Sequence, residues 1–421
     1  MNATSDLVTY PLSADAAQRG VTLDNWAEAP YNRWSFLHVD EVLATHLVPA
    51  SDDPEPLVTQ LDPSLFEVTT PRYDATGRIV GHAGVAEVLD DTFTDGFAVL
   101  HHGRIRAESY AESMRPDTRH LLMSVTKTVV GVIATSLADA GWFRLDTRVE
   151  DIVPRLRESG FAGATVRDLL DMRSGVRFSE TYHDPDADIY LLEHATQWRS
   201  PRDDVPSTLH DFLVTLPRER PHGGTFHYRS AETDALGWVC EEATGHGLAQ
   251  LIHDHVWSPT RGEHTAYVTV DRMGTAIADG GLCATLRDVA RFGEMLRHSG
   301  ISPSGRKVGP SWFTIDTLLG TEDLREAFAA TSSPTGMPGG HYRNQVWVPF
   351  PDRTTFLALG IHGQMIYVNQ RAAVTGVKLS SWPTAQDGAR FFDTLALFET
   401  LAGALAKSAF AAHPAAIKEY R

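Results

Sequence analysis

The chain has 421 residues, with 37 Lys+Arg against 54 Asp+Glu and a formal net charge of −17. A surface this acidic has no general attraction for phosphate backbones or anionic lipid, which removes nucleic-acid and membrane-surface roles first. At 42% hydrophobic and 22% charged residues, the chain is globular in composition and long enough to bury a core unaided. Cys240 and Cys283 are too few for a disulfide framework and read as buried small hydrophobes in a reduced compartment.

In chain order, Met1-Asn2-Ala3-Thr4-Ser5-Asp6-Leu7 has neither the early cations nor the apolar run of an export signal. No stretch reaches about 18 consecutive apolar residues, so a cytoplasmic location is expected. Residues 1–90 are rich in Pro, Asp, Thr and Gly, yet carry Trp26, Tyr31, Trp34 and Phe36. They read as irregular wrapping on a core rather than as disorder. Residues 97–100, a turn at 101–104 and residues 105–110 predict a β-hairpin with Gly103 in the turn. Val129, Val130, Val132, Ile133 and Leu137 then recur at helical spacing within 126–138, and Gly141 is the stop signal. Amphipathic stretches at 166–172, 231–244 and 248–256 make the middle of the chain mainly helical. Residues 356–361, 365–368 and 374–379 predict a meander, and 386–406 a closing helix. This order implies an α+β architecture: an antiparallel sheet flanked by helices, built from residues 1–140 and 271–421, with a helical domain inserted at 141–270.

Several chemistries fail on their templates. There is no G-x-S-x-G elbow and no Walker sequence, and Gly245-His246-Gly247-Leu248-Ala249-Gln250 lacks the third glycine of a dinucleotide loop. His253-Asp254-His255 is the best metal candidate, but residues two apart on a helix point to different faces and no third ligand stands in register. It reads as helix surface, and no metal or cofactor is expected.

The positive signal is Ser124-Val125-Thr126-Lys127. Residues i and i+3 share a helix face, which brings hydroxyl and amine within hydrogen-bond reach. A serine becomes a nucleophile when a base takes its proton, and a lysine serves as that base once desolvation lowers its pKa. Leu121-Leu122-Met123 before the turn and a Val/Ile-rich helix after it supply that burial. First-turn N–H groups at a helix start also suit an oxyanion. The competing reading is an N-capping serine beside a surface lysine. Ser304-Gly305-Arg306-Lys307 matches the same spacing, but within a Pro/Gly turn it reads as solvated loop.

The run 122–127 resembles the penicillin-recognising serine hydrolases: class C β-lactamases, D-alanyl-D-alanine peptidases and allied esterases. Their Tyr-x-Asn or Tyr-x-Ser element is matched by Tyr228-Arg229-Ser230. Their Lys-Thr-Gly triplet is replaced by Gly360-Ile361-His362-Gly363-Gln364, and neutral histidine is a poor substitute for the cation that grips a β-lactam carboxylate. His-Gly-Gln at that place resembles the nylon-oligomer (6-aminohexanoate-dimer) hydrolase branch. So do Asp24-Asn25-Trp26, Asn32-Arg33-Trp34, the run from Asp279-Gly280-Gly281 to Arg287-Asp288, and the run 377–383.

The resemblance implies a β-lactamase/transpeptidase-like fold with the site in a cleft between two domains. It implies Ser124 as the acylated residue, Lys127 and Tyr228 as proton carriers, and the N–H groups of Ser124 and Ile361 as the oxyanion hole. Tyr182, Glu193, Asp279, His362 and Gln364 are the expected substrate contacts, with Tyr182 closing over the substrate and Glu193 meeting a terminal ammonium. Tyr182 also reads as a plain loop aromatic, and Glu193 as a solvated helix glutamate. The implied activity is hydrolysis of small amides or esters through an acyl-enzyme. A carboxylesterase without useful amidase activity, a β-lactamase or peptidase, and a non-catalytic binding protein are the alternatives. The expected partner is a small-molecule substrate, with no nucleic acid and no membrane, and a homodimer is left open.

Overall fold

The computed structural model describes residues 12–331 and 337–412, so the opening segment 1–7 lies outside the described residues. Thr94–His101 and Arg104–Tyr110 form the expected hairpin, longer by one residue on each side of the turn. His102 (φ 49°) and Gly103 (φ 73°) close it with two consecutive left-handed residues, which matches the twist of paired strands. The meander Thr355–Gly360, Gln364–Asn369 and Val374–Ser380 zips antiparallel onto Thr94–His101 through its last strand. His341–Arg343 and Val346–Val348, not expected from the sequence, extend the far edge to give seven strands. They are three residues each, too short to show an alternating pattern.

Helices cover both faces of this sheet. Leu286–Arg297 packs across Val374–Ser380, Gln364–Asn369 and Thr94–His101. Gly388–Ala412 closes the opposite face, where Phe398 stacks on Phe97 at 5.7 Å and on Tyr367 at 5.3 Å. A Cβ at Gly376 would lie 2.3 Å from the Phe398 ring, so only glycine lets that ring reach the sheet. Burial of each such aromatic contributes about 1.5–3 kcal/mol.

A second, four-stranded sheet was not anticipated. It pairs Thr45–Val48, Ala266–Thr269, Leu282–Thr285 and Arg119–Leu121 in that order. Residues 1–90 are therefore less irregular than expected: besides Thr45–Val48 they hold the hairpin Thr69–Tyr73/Ile79–Gly84. Their aromatics do wrap a core, with Trp26 and Phe36 fully buried. Between the sheets' contributions lie the helices Val166–Leu170, Asp188–Ala195, Leu209–Thr215, Ser230–Thr244 and Leu248–Ile252. Gly245 (φ 74°) ends the fourth of these as a left-handed cap. Among the described residues no helix is long and apolar enough to cross a membrane.

Candidate active site

Strand Arg119–Leu121 runs into helix Val125–Asp139 through Met123, whose φ of 48° is a left-handed conformation uncommon for a non-glycine residue. That bend sets Ser124 at the helix start, where first-turn N–H groups lack intrahelical acceptors. One turn on, the Lys127 ammonium donates to Ser124 Oγ at 2.8 Å and to the Asp279 carbonyl at 2.7 Å, 3.6 Å from Asp279 Oδ2. Ser124 is 9% exposed and Lys127 1%. The competing picture of a surface lysine is excluded.

Tyr228 arrives from the loop ahead of helix Ser230–Thr244. Its ring stacks on Trp347 at 5.2 Å and meets Tyr342 edge-on at 6.0 Å, which fixes the phenol against the lysine, 5.2 Å from ring centre to Nζ. Burial raises the phenol's pKa, while Lys127 and Ser124 both pull it down.

The charge state of Lys127 corrects the expectation of a lowered pKa. Burial does push it down, but the facing anionic groups, Tyr228 when ionised, Asp279, Glu180 and Asp234, outweigh burial and hold it above the ordinary lysine value. Tyr228 is raised as well, by burial first and by the Glu180 charge, against the lowering pull of Lys127. At neutral pH the pair is therefore an ammonium beside a neutral phenol, and it titrates as a unit.

Sequence reasoning missed Glu180. Its carboxylate accepts the Tyr182 hydroxyl at 2.7 Å, the Ser230 N–H at 2.7 Å and the Ser230 hydroxyl at 3.0 Å. It thereby ties the loop at Tyr182 to the helix end beside Tyr228. Burial raises its pKa. Asp234, on the same helix, accepts the Asp279 N–H at 3.0 Å; burial and the Asp279 charge push its own pKa well up.

A cavity of about 380 Å³ opens beside these groups, walled by Trp26, Met123, Tyr182, Tyr190, Glu193, Trp198, Arg199, Ile361 and His362 among others. A recess of about 30 Å³ shares Met123, Tyr182, Glu193, Trp198 and Ile361 with it and is bounded by Ser124 and Asp279. Trp26 donates from Nε1 to the Trp198 carbonyl at 2.7 Å, so the amino-terminal wrapping builds one wall. Ile361 begins a short turn whose next residue, His362, has φ 58°.

Of the expected substrate contacts, Tyr182, Glu193, Asp279 and His362 border these spaces. Gln364 does not line them, and its expected substrate contact is corrected. It donates to the Ser380 carbonyl at 2.6 Å and accepts the Ser380 N–H at 3.0 Å, bridging two strands while 1% exposed. His362 is anchored behind the wall by a 2.7 Å hydrogen bond to the Trp382 carbonyl, and burial lowers its pKa to about 4, so it is neutral. Glu193 is already paired, with Oε2 2.5 Å from Arg199 Nε. Lys307, of the second S-x-x-K match, is exposed and bound to Asp139 at 2.8 Å. His253 reaches the Pro49 carbonyl from the π-helical turn His253–Trp257.

The β-lactamase family model matches residues 81–397. The chain belongs to that family, serine hydrolases of β-lactamase fold, as the resemblance of its motifs implied. It is 35% identical over 370 residues to the 6-aminohexanoate-dimer hydrolase of Paenarthrobacter ureafaciens, covering 87% of this chain and 90% of that protein. A Bacillus anthracis structure provisionally described as a 6-aminohexanoate-dimer hydrolase superimposes with a TM-score of 0.83 at 29% identity, over 93% of this chain and 98% of that one. A family VIII carboxylesterase, 16% identical, shares the fold at a TM-score of 0.56, over 75% of this chain and 94% of its own. The chain is a homologue of the 6-aminohexanoate-dimer hydrolases.

Proposed function

We propose that this protein hydrolyses small amides or esters through an acyl-enzyme on Ser124. The observation that carries the reading is the 2.8 Å hydrogen bond from the buried Lys127 ammonium to Ser124 Oγ, with the Tyr228 ring 5.2 Å from the same Nζ. When the Lys127/Tyr228 pair has lost a proton, Ser124 Oγ gives its own to the pair and attacks the substrate carbonyl. The new oxyanion rests on the N–H groups of Ser124 and Ile361, two residues that line the same recess. Tyr228 hands the proton to the departing nitrogen or oxygen, and the bond to the leaving group breaks. Water then repeats the sequence in reverse: the pair takes its proton, hydroxide adds to the acyl carbon, and Ser124 leaves reprotonated.

Neutral His362 supports linear amides and esters over a β-lactam or peptide carboxylate, which needs a cation there. The free, buried cysteines Cys240 and Cys283 fit a cytoplasmic location. The cleft lies between a two-part sheet domain and a mainly helical domain at 141–270, whose last strand, Ala266–Thr269, pairs with strands of the sheet side.

The test is labelling with an active-site-directed fluorophosphonate, alongside turnover of p-nitrophenyl esters, a cephalosporin and linear aminohexanoate amides. Labelling at Ser124 alone, lost together with all turnover in Ser124→Ala, is the expected result. Labelling elsewhere, or an active Ser124→Ala variant, overturns the mechanism.

A further inference from the structure

The main sheet slips its register between Leu379 and Ser380. Leu379 stands opposite Gly96 and Ser380 opposite Thr94, which leaves Asp95 as the extra residue of a β-bulge. A bulge bends its strand and re-aims a side chain, and here the side chain is a carboxylate only 1% exposed. Burying a charge is costly unless it is paired. Asp95 Oδ2 accepts the Ser381 hydroxyl at 2.7 Å and lies 3.2 Å from His120 Nε2, while Oδ1 lies 3.5 Å from the Arg33 guanidinium. Both His120 ring nitrogens are engaged, one by Asp95 and the other by the Leu121 carbonyl at 2.7 Å, so neither is a base for Ser381. None of the three residues lines the cavity or the recess, and they form no second nucleophile.

What the carboxylate joins is the two sides of the oxyanion hole. His120 sits in strand Arg119–Leu121, which runs on through Leu122 and Met123 into Ser124. Ser381 precedes Trp382, whose carbonyl accepts His362 Nδ1 at 2.7 Å and whose N–H donates to the His362 carbonyl at 3.1 Å. His362 follows Ile361 directly. The Phe36 ring fills the space between these two arms, its centre 6.1 Å from that of His120 and 5.2 Å from that of His362. Ahead of Ile361, Gly360 lies so close that a Cβ would stand 2.7 Å from the Leu122 carbonyl oxygen. Gly360 lets the two segments meet, and Asp95 ties them from behind.

Resting on the hydrolase reading above, we propose that Asp95 is a positioning residue for the oxyanion hole: through His120 and Ser381 it fixes the Ser124 and Ile361 N–H groups relative to each other. The hole acts on charge that develops as the carbonyl carbon becomes tetrahedral. Loosening it therefore slows acylation and deacylation together, while substrate still binds.

The experiment measures kcat and KM on a p-nitrophenyl ester and the affinity of an alkylboronic acid, with a thermal melt beside each assay. The boronic acid becomes tetrahedral when Ser124 Oγ adds to boron, and so presents a boron-bound oxygen to the hole. Ser381→Ala and Asp95→Ala should each lower kcat by about tenfold to a hundredfold, with KM within about threefold of wild type, because a displaced donor is missed mainly in the transition state. Boronic acid affinity should weaken by the same factor as kcat/KM. Asp95→Asn keeps an acceptor oxygen for the Ser381 hydroxyl and should retain most of the activity. Ser381→Ala removes a single hydroxyl and carries the test if Asp95→Ala does not fold. A lowered melting temperature in Ser381→Ala, with kcat and boronic acid affinity within about twofold of wild type, makes the link a plain stabiliser and overturns the proposal. So does an Asp95→Asn variant as slow as Asp95→Ala, since the charge and not the link would then matter. Failure of the hydrolase reading looks different: wild type then turns over no ester, and this inference falls with it.

Discussion

Glu180 accepts the hydroxyl of Tyr182 at 2.7 Å while its second oxygen holds the Ser230 N–H, two residues beyond Tyr228. One carboxylate thus sets the position of the cavity-side tyrosine and of the helix start just after Tyr228. Glu180→Gln exchanges one acceptor oxygen for a donor and cannot satisfy all three partners. We expect kcat/KM to fall by roughly tenfold to a hundredfold, as small displacements near the reacting atoms do. Because the Glu180 charge raises both Lys127 and Tyr228, the surviving activity should reach its plateau at lower pH than in wild type. An unshifted profile would make Glu180 a structural bond only.

The same electrostatics set the pH dependence of the wild type. Lys127 and Tyr228 are both held above their ordinary values, so the deprotonated pair that the proposed mechanism requires forms only on the alkaline side. Activity on a non-titrating ester should climb as pH rises beyond neutrality. Asp279→Asn removes a charge that raises Lys127 and should move this limb towards acid. A rate already flat from pH 6 upwards would show that another group is the base.

Lys127→Arg keeps the charge but loses the chemistry. A guanidinium does not give up its proton, and its planar fork cannot reproduce the two bonds that Nζ makes to Ser124 Oγ and the Asp279 carbonyl. We expect kcat to drop by about a hundredfold to ten-thousandfold. Lys127→Ala, measured beside it, should be as inactive while still folding cooperatively in a thermal melt. A well-populated acyl-enzyme and near-normal turnover in Lys127→Arg would reduce the lysine to a fixed positive charge.

His362 makes a prediction about stability rather than rate. Its pKa falls from 6.5 to about 4 on folding, by burial, so the unfolded chain binds the extra proton between these values. The contribution is complete above pH 6.5 and is lost progressively as pH falls towards 4. Thermal midpoints recorded across that window should decline with acidification. His362→Gln, which does not titrate, should show a shallower decline whatever its absolute stability. Equal slopes in the two proteins would assign the acid sensitivity to other histidines with lowered pKa values, such as the half-buried His210.

The parts of this protein that the sequence alone determined are those whose physics is local. The approach of Lys127 to Ser124 follows from three residues of helix, and the hairpin, the helix after Ser124 and the meander follow from periodicities complete within a few residues. Tyr228 was legible through its spacing from Ser124 together with family resemblance. The four-residue strands Ala266–Thr269 and Leu282–Thr285 were not, since so short a run shows no period and gains its stability only from partners far along the chain. Tertiary structure alone decided the electrostatics. Whether Lys127 is a free base or a held ammonium depends on Glu180, Asp234 and Asp279, brought around it from separate elements. Whether Glu193 is available to a ligand depends on a reversal at Gln197 that returns Arg199 across six residues, outside the i, i+3 and i, i+4 pairings a helix displays. Gln364 and His362 look alike in sequence as polar residues of one turn, yet one is spent on a neighbouring strand and the other borders the cavity. Coulomb and desolvation energies sum over every group within several ångströms regardless of its place in the chain, and only the folded chain decides which groups those are.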